Sequence, residues 1–414
     1  MKILYVSPHG FREHTRSFTN YVLARAMARR GHKVIAYAAK LDDDASTETI
    51  DSVTIRRFPE LIQMDPLAKK KDFLRFWPLA WKNLRSDKPD VVHLFHLSSP
   101  YNYHFFKAAH WMKIPVVLSE WGILHNDFLA ATTDNPLKAE PTYGRVIKGA
   151  AQLLIRNNRY GDTWKGRLRN YCRHRVLYKS DKLLFLSAHN YPYLRSLNVP
   201  DDKIAFLRNP FDLSLAEVAR EREAEWRTAS RPWILFIGQL KLRKGFDLFI
   251  EAMPRLLREF PGATFFFICH NWKNNRHYDW VMKKVEELGI SPHFRFLGSV
   301  SESEKWTLLE SADVFVAPSR YEGFGLPLLE AMLVECPIVA ADVVALTELV
   351  SHEHNGLLFP IEDIDAMTVQ VARIIKDENL RERLVRNGSE YVKTHDVIVH
   401  IEEFERLYES VIEK

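Results

Sequence analysis

Cysteine is nearly missing from this chain: Cys172, Cys269 and Cys336 are the only three in 414 residues. They share no metal-ligand or redox spacing, which excludes a disulfide scaffold and points to a reducing, cytosolic compartment. Each reads as a small core residue and not as a reactive thiol. No run of 18 or more apolar residues occurs, so no membrane-crossing helix is expected. Met1-Lys-Ile-Leu-Tyr-Val-Ser7 is a strand entering a loop, not the apolar core of a signal peptide. What remains is an ordinary soluble composition, 46% hydrophobic and 27% charged, in a chain long enough for two domains. The net charge of +5 is modest, but its distribution is uneven.

Short apolar runs alternate with helical patterns through both halves, the mark of parallel α/β sheets. In the first half the runs are Lys2–Ser7, Lys33–Ala38, Asp90–Phe95, Pro115–Ser119, Lys182–Ser187 and Ile204–Leu207. In the second they are Trp233–Ile237, Thr264–Ile268, Phe294–Leu297, Asp313–Ala317, Pro337–Ala340 and Gly356–Phe359. Leu213–Arg231, rich in charge, reads as the joining stretch. Ligands of such sheets sit beyond the carboxyl ends of the strands, so a cleft between two facing domains is the expected site.

The densest signal is Ser319–Met332, S-R-Y-E-G-F-G-L-P-L-L-E-A-M. Two carboxylates, Glu322 and Glu330, bracket a glycine-flanked turn that follows a buried strand and enters a helix started by Pro327. Gly323 and Gly325 permit close backbone approach, and the free amides of a helix start favour an anion. A carboxylate beside a diphosphate would be repelled, so each glutamate is better suited to accepting hydrogen bonds from hydroxyls. Phosphate together with hydroxyls suggests a nucleotide sugar.

This string resembles the donor-binding signature of the retaining glycosyltransferases of GT-B fold, the family-four or group 1 type, and a weaker likeness covers almost the whole chain. The resemblance implies two Rossmann-like, doubly wound domains facing a central cleft: an acceptor-side domain over 1–211 and a donor-binding domain over 212–395. It also implies a last helix, 396–414, that crosses back to the first domain. Glu322 and the amides of Gly323, Phe324, Gly325 and Leu326 are then expected to hold the donor sugar, and Glu330 the ribose. In the loop Gly238-Gln-Leu-Lys-Leu-Arg-Lys-Gly245, Lys244 matches the family lysine that stabilises the departing diphosphate. Gln239 stands where the family has arginine, and Lys241 or Arg243 is left to replace its charge. Gly298-Ser-Val300 resembles the loop beside the base, with Val300 at its end. Trp272 and His270 are candidates for stacking on base or ribose.

On the acceptor side, Gly10 ends the loop after the first strand, but the family's Gly-Gly pair is replaced by Phe11–Ser17. Trp121, followed by Gly122, occupies the usual His position, and His125 is the nearest imidazole. Asn209 matches the family's cleft asparagine. Two segments read as membrane-facing. One is Lys69–Lys82, where Phe73, Phe76, Trp77 and Trp81 interleave with cations. The other is 145–179, with ten Lys and Arg against Asp162 alone, and an apolar stripe of Val146, Ile147, Ala150, Leu153 and Leu154. The plain alternative is a solvated basic face. No nucleic-acid module accompanies the charge, so nucleic acid is not an expected partner.

The expectation is therefore a cytoplasmic retaining glycosyltransferase, peripheral on the inner face of the membrane. Its partners would be a nucleotide-sugar donor and a glycan or lipid-linked acceptor, with no metal and no other cofactor. A catalytically silent nucleotide-sugar or membrane-binding subunit, and a nucleotide-sugar epimerase on the same fold, are the alternatives. Donor sugar, base and acceptor are not legible here.

Overall fold

The computed structural model describes residues 1–7, 11–12, 15, 18–41, 44–62, 70–97, 101–120, 172, 175–188, 191–196, 199–217, 225–269, 272–273, 275 and 277–413. The chain divides into two compact units, Met1–Asp212 with His395–Lys414, and Leu213–Thr394. No helix among the described residues is long and apolar enough to cross a membrane.

In the first unit, strands β1 (Lys2–Val6), β2 (Lys33–Ala39), β3 (Thr47–Ile50), β4 (Val53–Phe58), β5 (Val91–Phe95), β6 (Val116–Glu120), β7 (Lys182–Phe185) and β8 (Ile204–Phe206) form one sheet, ordered β3-β4-β2-β1-β5-β6-β7-β8. Only β3 runs antiparallel, paired with β4. The central strands are apolar runs buried on both faces, as a parallel sheet covered by helices requires. Strand order reverses between β1 and β5, so their carboxyl ends border a topological switch point. The β3–β4 hairpin was not expected from the sequence. Its turn residues Asp51 and Ser52 both take positive φ, 50° and 65°, without the glycine that usually announces such a turn.

Helices α1 (Thr19–Arg29), α2 (Lys70–Asp87), α3 (Asn102–Trp111) and α4 (Tyr191–Ser196) belong to this unit. In α2, Phe76, Ala80 and Leu84 recur at four-residue spacing and are buried in the core. This corrects the expectation that Phe76 enters a membrane: it is 1% exposed and packs on Tyr101 and His104. The interleaving of aromatics and cations is the signature of an amphipathic helix whose apolar face is already covered. Trp77 and Trp81 are half-buried and meet Trp111 at ring-centroid distances of 6.4 and 5.9 Å. The side chain of Phe73 and most of 145–179 lie outside the described residues.

The second unit holds β9 (Trp233–Ile237), β10 (Thr264–Ile268), β11 (Phe294–Gly298), β12 (Val314–Ala317), β13 (Ile338–Ala341) and β14 (Leu357–Phe359), all parallel in the order β11-β10-β9-β12-β13-β14. This is the doubly wound order of nucleotide-binding domains, with its switch point between β9 and β12. Its helices are α5 (Phe246–Glu259), α6 (Tyr278–Glu287), α7 (Glu302–Ser311), α8 (Leu326–Leu333), α9 (Val344–Thr347), α10 (Ile364–Lys376) and α11 (Glu378–Lys393).

The last helix, α12 (Val397–Ile412), packs in the first unit. Asp396 caps it through the Ile398 amide, and Val397 N–H donates to the Phe211 carbonyl at 2.7 Å. Val397, Ile401, Phe404, Leu407, Tyr408 and Val411 share one face and join β1 and α1 in the core. Phe404→Ala should cost about 3–5 kcal/mol, the range for emptying a fully buried aromatic site. The denaturant midpoint of the first unit, followed by near-ultraviolet circular dichroism, should fall. An unchanged midpoint would detach α12 from that unit's stability.

Candidate functional site

At the second sheet's switch point, β9 leads into Gly238 and Gln239, then a single 3-10 turn, Leu242–Lys244, then α5. Gly245 joins the turn to the helix at φ 68°. A Cβ there would sit 1.8 Å from the Pro318 carbonyl oxygen, so only glycine lets this loop lie against the loop after β12. The contact is reinforced across the chain. The amides of Arg320 and Tyr321 both donate to the Arg243 carbonyl, at 2.8 and 3.3 Å. The Arg320 guanidinium grips Asp247 bidentately at 2.7 and 2.8 Å, and also reaches the Leu242 carbonyl and Glu362.

Held this way, the two loops bring Lys244 and Glu322 together as a short ion pair. Ser319 Oγ donates to the same Glu322 oxygen at 3.0 Å, and Arg243 stands 3.4 Å from the other. Burial alone would push the Glu322 carboxyl up, but Lys244 and Arg243 outweigh it and hold the group below its ordinary value, ionised. Burial pulls the Lys244 ammonium down, against the pull of Glu322. Ile237, Lys244, Ser319, Glu322 and Gly325 line a narrow recess here.

Gly325, at φ 103°, turns the chain into α8, where Leu326 and Pro327 begin the helix. Phe324 is buried, while Gly323 and Leu326 are half-buried. Glu330 is not free in the recess. One turn into α8, it accepts from Lys305 Nζ at 2.8 Å, and Lys305 also bridges to Glu302 at 2.9 Å. Desolvation works against the buried Lys305 charge, yet the two carboxylates win and raise its affinity for the proton. Nothing in the sequence pattern flagged Lys305, because a lysine on an amphipathic helix reads as solvated.

Gln239 is half-buried, and its side chain has no hydrogen bond among the described residues. Val300 is half-buried just before the cap of α7. Trp272 is committed to the protein. Its indole nitrogen lies 2.5 Å from where a Gly298 Cβ would stand, and its ring packs on Tyr278 and Phe296 at 4.9 and 5.6 Å. Tyr278 meets the ring obliquely and Phe296 meets it edge-on, and the residue is half-buried. His270, Gly10, Trp121, Gly122 and His125 lie outside the described residues. Asn209 is buried after β8 in the first unit, its Oδ1 without a hydrogen-bond partner among the described residues.

Comparison with known proteins gives the same outline. Residues 219–391 match the family model for glycosyl transferases group 1, and residues 19–215 match that for Glycosyltransferase Family 4. An uncharacterized glycosyltransferase of Methanocaldococcus jannaschii is 32% identical over 207 residues, 47% of this chain and 50% of the relative. A phosphatidyl-myo-inositol mannosyltransferase of Mycolicibacterium smegmatis is 32% identical over 181 residues, 43% of this chain and 45% of the relative. The chain thus spans about half the length of the curated relatives it matches. Among solved structures, sucrose-phosphate synthase from Thermosynechococcus elongatus has a TM-score of 0.78 at 18% identity, covering 99% of this chain and 98% of that one. Anabaena HepE in complex with UDP-glucose has a TM-score of 0.69 at 16% identity, covering 99% and 100%.

The Lys305–Glu330 pair gives a clean stability test. Lys305→Met should cost about 3–5 kcal/mol, because it strands a buried carboxylate, whereas the double change Lys305→Met with Glu330→Gln should recover most of that loss. Urea midpoints decide it. Equal midpoints for the single and double variants would mean that the pairing does not govern this part of the unit.

Proposed function

The chain belongs to the group 1 glycosyltransferases, of GT-B fold, and on that premise we propose that it moves a sugar from a nucleotide-sugar donor to a hydroxyl of a glycan or lipid-linked acceptor with retention of anomeric configuration. The observation that carries this reading is Glu322, held ionised by Lys244 and Ser319 in the recess at the second switch point. On this reading the diphosphate lies by Lys244 and Arg243 and by the amides that open α8. An anion arriving there competes with Glu322 for the ammonium and frees the carboxylate to accept hydrogen bonds from sugar hydroxyls. Glu330, steadied by Lys305, receives the ribose.

Transfer then needs little covalent help from the protein. The bond from the anomeric carbon to the diphosphate oxygen breaks, its electron pair staying on that oxygen, where Lys244 and Arg243 offset the growing charge. The acceptor oxygen bonds to the anomeric carbon on the same face, and its proton passes to the departing diphosphate. No metal is required for charge balance on this route, since the loop after β9 supplies the cations.

Glu322→Gln should lower turnover about 10²-fold, the scale of losing one preorganised polar contact, with the melting temperature largely kept. Gln239→Arg should leave turnover unchanged or raised, because a planar cation there can pair with phosphate oxygens. Nucleoside diphosphate release from UDP-glucose and GDP-mannose is the readout. Wild-type turnover in Glu322→Gln would remove that residue from the mechanism. Donor-induced thermal stabilisation without any release would favour the silent nucleotide-sugar binder.

Membrane attachment is the finer part of the proposal. Trp111 is 68% exposed at the α2–α3 surface beside Trp77, and Lys107 lies 5.0 Å over the Trp77 ring, a cluster of aromatics and cations suited to an anionic headgroup region. Cosedimentation with phosphatidylglycerol-containing vesicles should therefore occur at low salt and weaken as salt is added, with Trp111→Ser reducing it. Absence of binding at low salt would return this surface to a solvated face.

A further inference from the structure

A groove of about 740 Å³ runs between α5 and α10, which pack side by side in the second unit. None of its lining residues belongs to the recess that holds Lys244 and Glu322. One wall is the end of α5, with Arg255, Arg258 and Glu259; the other is a single face of α10. Two ion pairs cross it, Arg255 to Asp365 and Lys376 to Glu259. Their side chains are well exposed to water, so these pairs hold the groove shut only weakly. Between them Val369 is 57% exposed, although Met367, Val371 and Ile374 already supply the buried face of the same helix.

The α10 wall is Asp365, Thr368, Val369, Ala372, Arg373 and Lys376, the spacing of one continuous helical stripe. Acid stands at its start, base at its end, and small or apolar residues between. Such a stripe complements itself when laid antiparallel about a two-fold axis. Asp365 then stands opposite Lys376, Thr368 opposite Arg373 and Val369 opposite Ala372, each contact made twice. A parallel arrangement would instead set Asp365 on Asp365 and Lys376 on Lys376, like against like. The small middle residues permit helix axes to approach to about 8–10 Å. Arg258 is exposed at the same end as Lys376 and has no hydrogen bond or ion pair among the described residues, so a second copy's Asp365 would meet two cations there. Acid at the start and base at the end of α10 also suit its macrodipole, but that does not account for the groove or for Val369.

We propose that the α5–α10 groove is an interface between two copies of this chain, each laying its α10 antiparallel across the groove of the other. Charge selects the occupant. An acidic partner would be repelled at Asp365 and Glu259, and a basic one at Arg255, Arg258 and Lys376. A surface with the same acid-to-base order in reverse satisfies both ends, and this chain itself carries one. The inference stands apart from the transferase reading, since it uses no residue of the donor recess.

Sedimentation velocity of the full chain tests this over about 1–100 μM. Wild-type protein should show a species of twice the chain mass that grows with concentration. Asp365→Lys and Lys376→Asp each set like charges opposite one another at two symmetric places, so each should raise the dimer Kd about tenfold or more. The double change, Asp365→Lys with Lys376→Asp, should recover most of the wild-type affinity. Both ion pairs within the chain stay broken in that variant, with Arg255 beside a lysine and Glu259 beside an aspartate, so recovery reports contact between copies. Val369→Arg should also give monomer, with the melting temperature kept because the site is exposed. A monomeric wild type at about 100 μM would overturn the interface and leave the groove to a different occupant. So would a dimer indifferent to Val369→Arg, which would use another face. Single reversals that weaken the dimer without recovery in the double variant would overturn the antiparallel pairing and the proposal with it.

Discussion

Lys244 and Glu322 come from loops 78 residues apart and form a largely desolvated pair, and such a pair survives only where its two backbones cannot drift. Much of the second unit's local construction serves that requirement. Gly245 removes the side chain that would separate the loops, the Arg243 carbonyl receives two amides from the opposite loop, and Arg320 ties that loop to the first turn of α5. Misplacing either loop would strand a charge. On the proposed reading, the same requirement leaves the ammonium and the carboxylate in place for an arriving anion to divide.

The two switch points reach similar ends by different backbone chemistry. The second uses glycine at 245 and 325, where positive φ carries no steric cost. The first uses Phe11, at φ 60°, and His96. Phe11 stands where relatives of this kind were expected to carry glycine, and it is tolerated because its ring is fully buried against Tyr21 and its carbonyl accepts from Arg57 at 2.6 Å. Arg57 and Arg12 meet at Asp44, so the strained loop is anchored by charge as well as by its buried ring. Packing supplies what backbone freedom supplies in the other unit.

Much of this was legible in the sequence, and the reasons are physical. All twelve strands expected from apolar runs are present, and the central ones were legible because a parallel strand buried on both faces must be apolar along its length. The signature Ser319–Met332 was readable because turn glycines and a helix-opening proline leave fixed spacings. The β3–β4 hairpin was hidden by a turn of Asp and Ser. Lys305 and Glu120 were invisible because burial of a single charge depends on partners brought in by the fold. Phe76 was misread for a related reason: residue type along α2 does not say which face the sheet covers.

A chain of buried polar groups links these observations to the end of the polypeptide. Tyr408 of α12 meets the Tyr5 hydroxyl at 3.1 Å and His93 Nδ1 at 2.7 Å, while His93 Nε2 meets Ser119 Oγ at 2.5 Å. Burial lowers the His93 pKa to about 3, so the ring is neutral and bonded at both nitrogens. It can then donate at one nitrogen and accept at the other, and so fixes the direction of the hydroxyls it joins. An apolar core at these positions would be as stable or more so, since polar groups gain little net energy from burial. What the polar chain adds is register. Tyr408 can meet His93 only when α12 is seated, and Ser119 can meet it only when β6 is in line. Glu120, the next residue along β6, thereby inherits its position from a helix that begins 277 residues later.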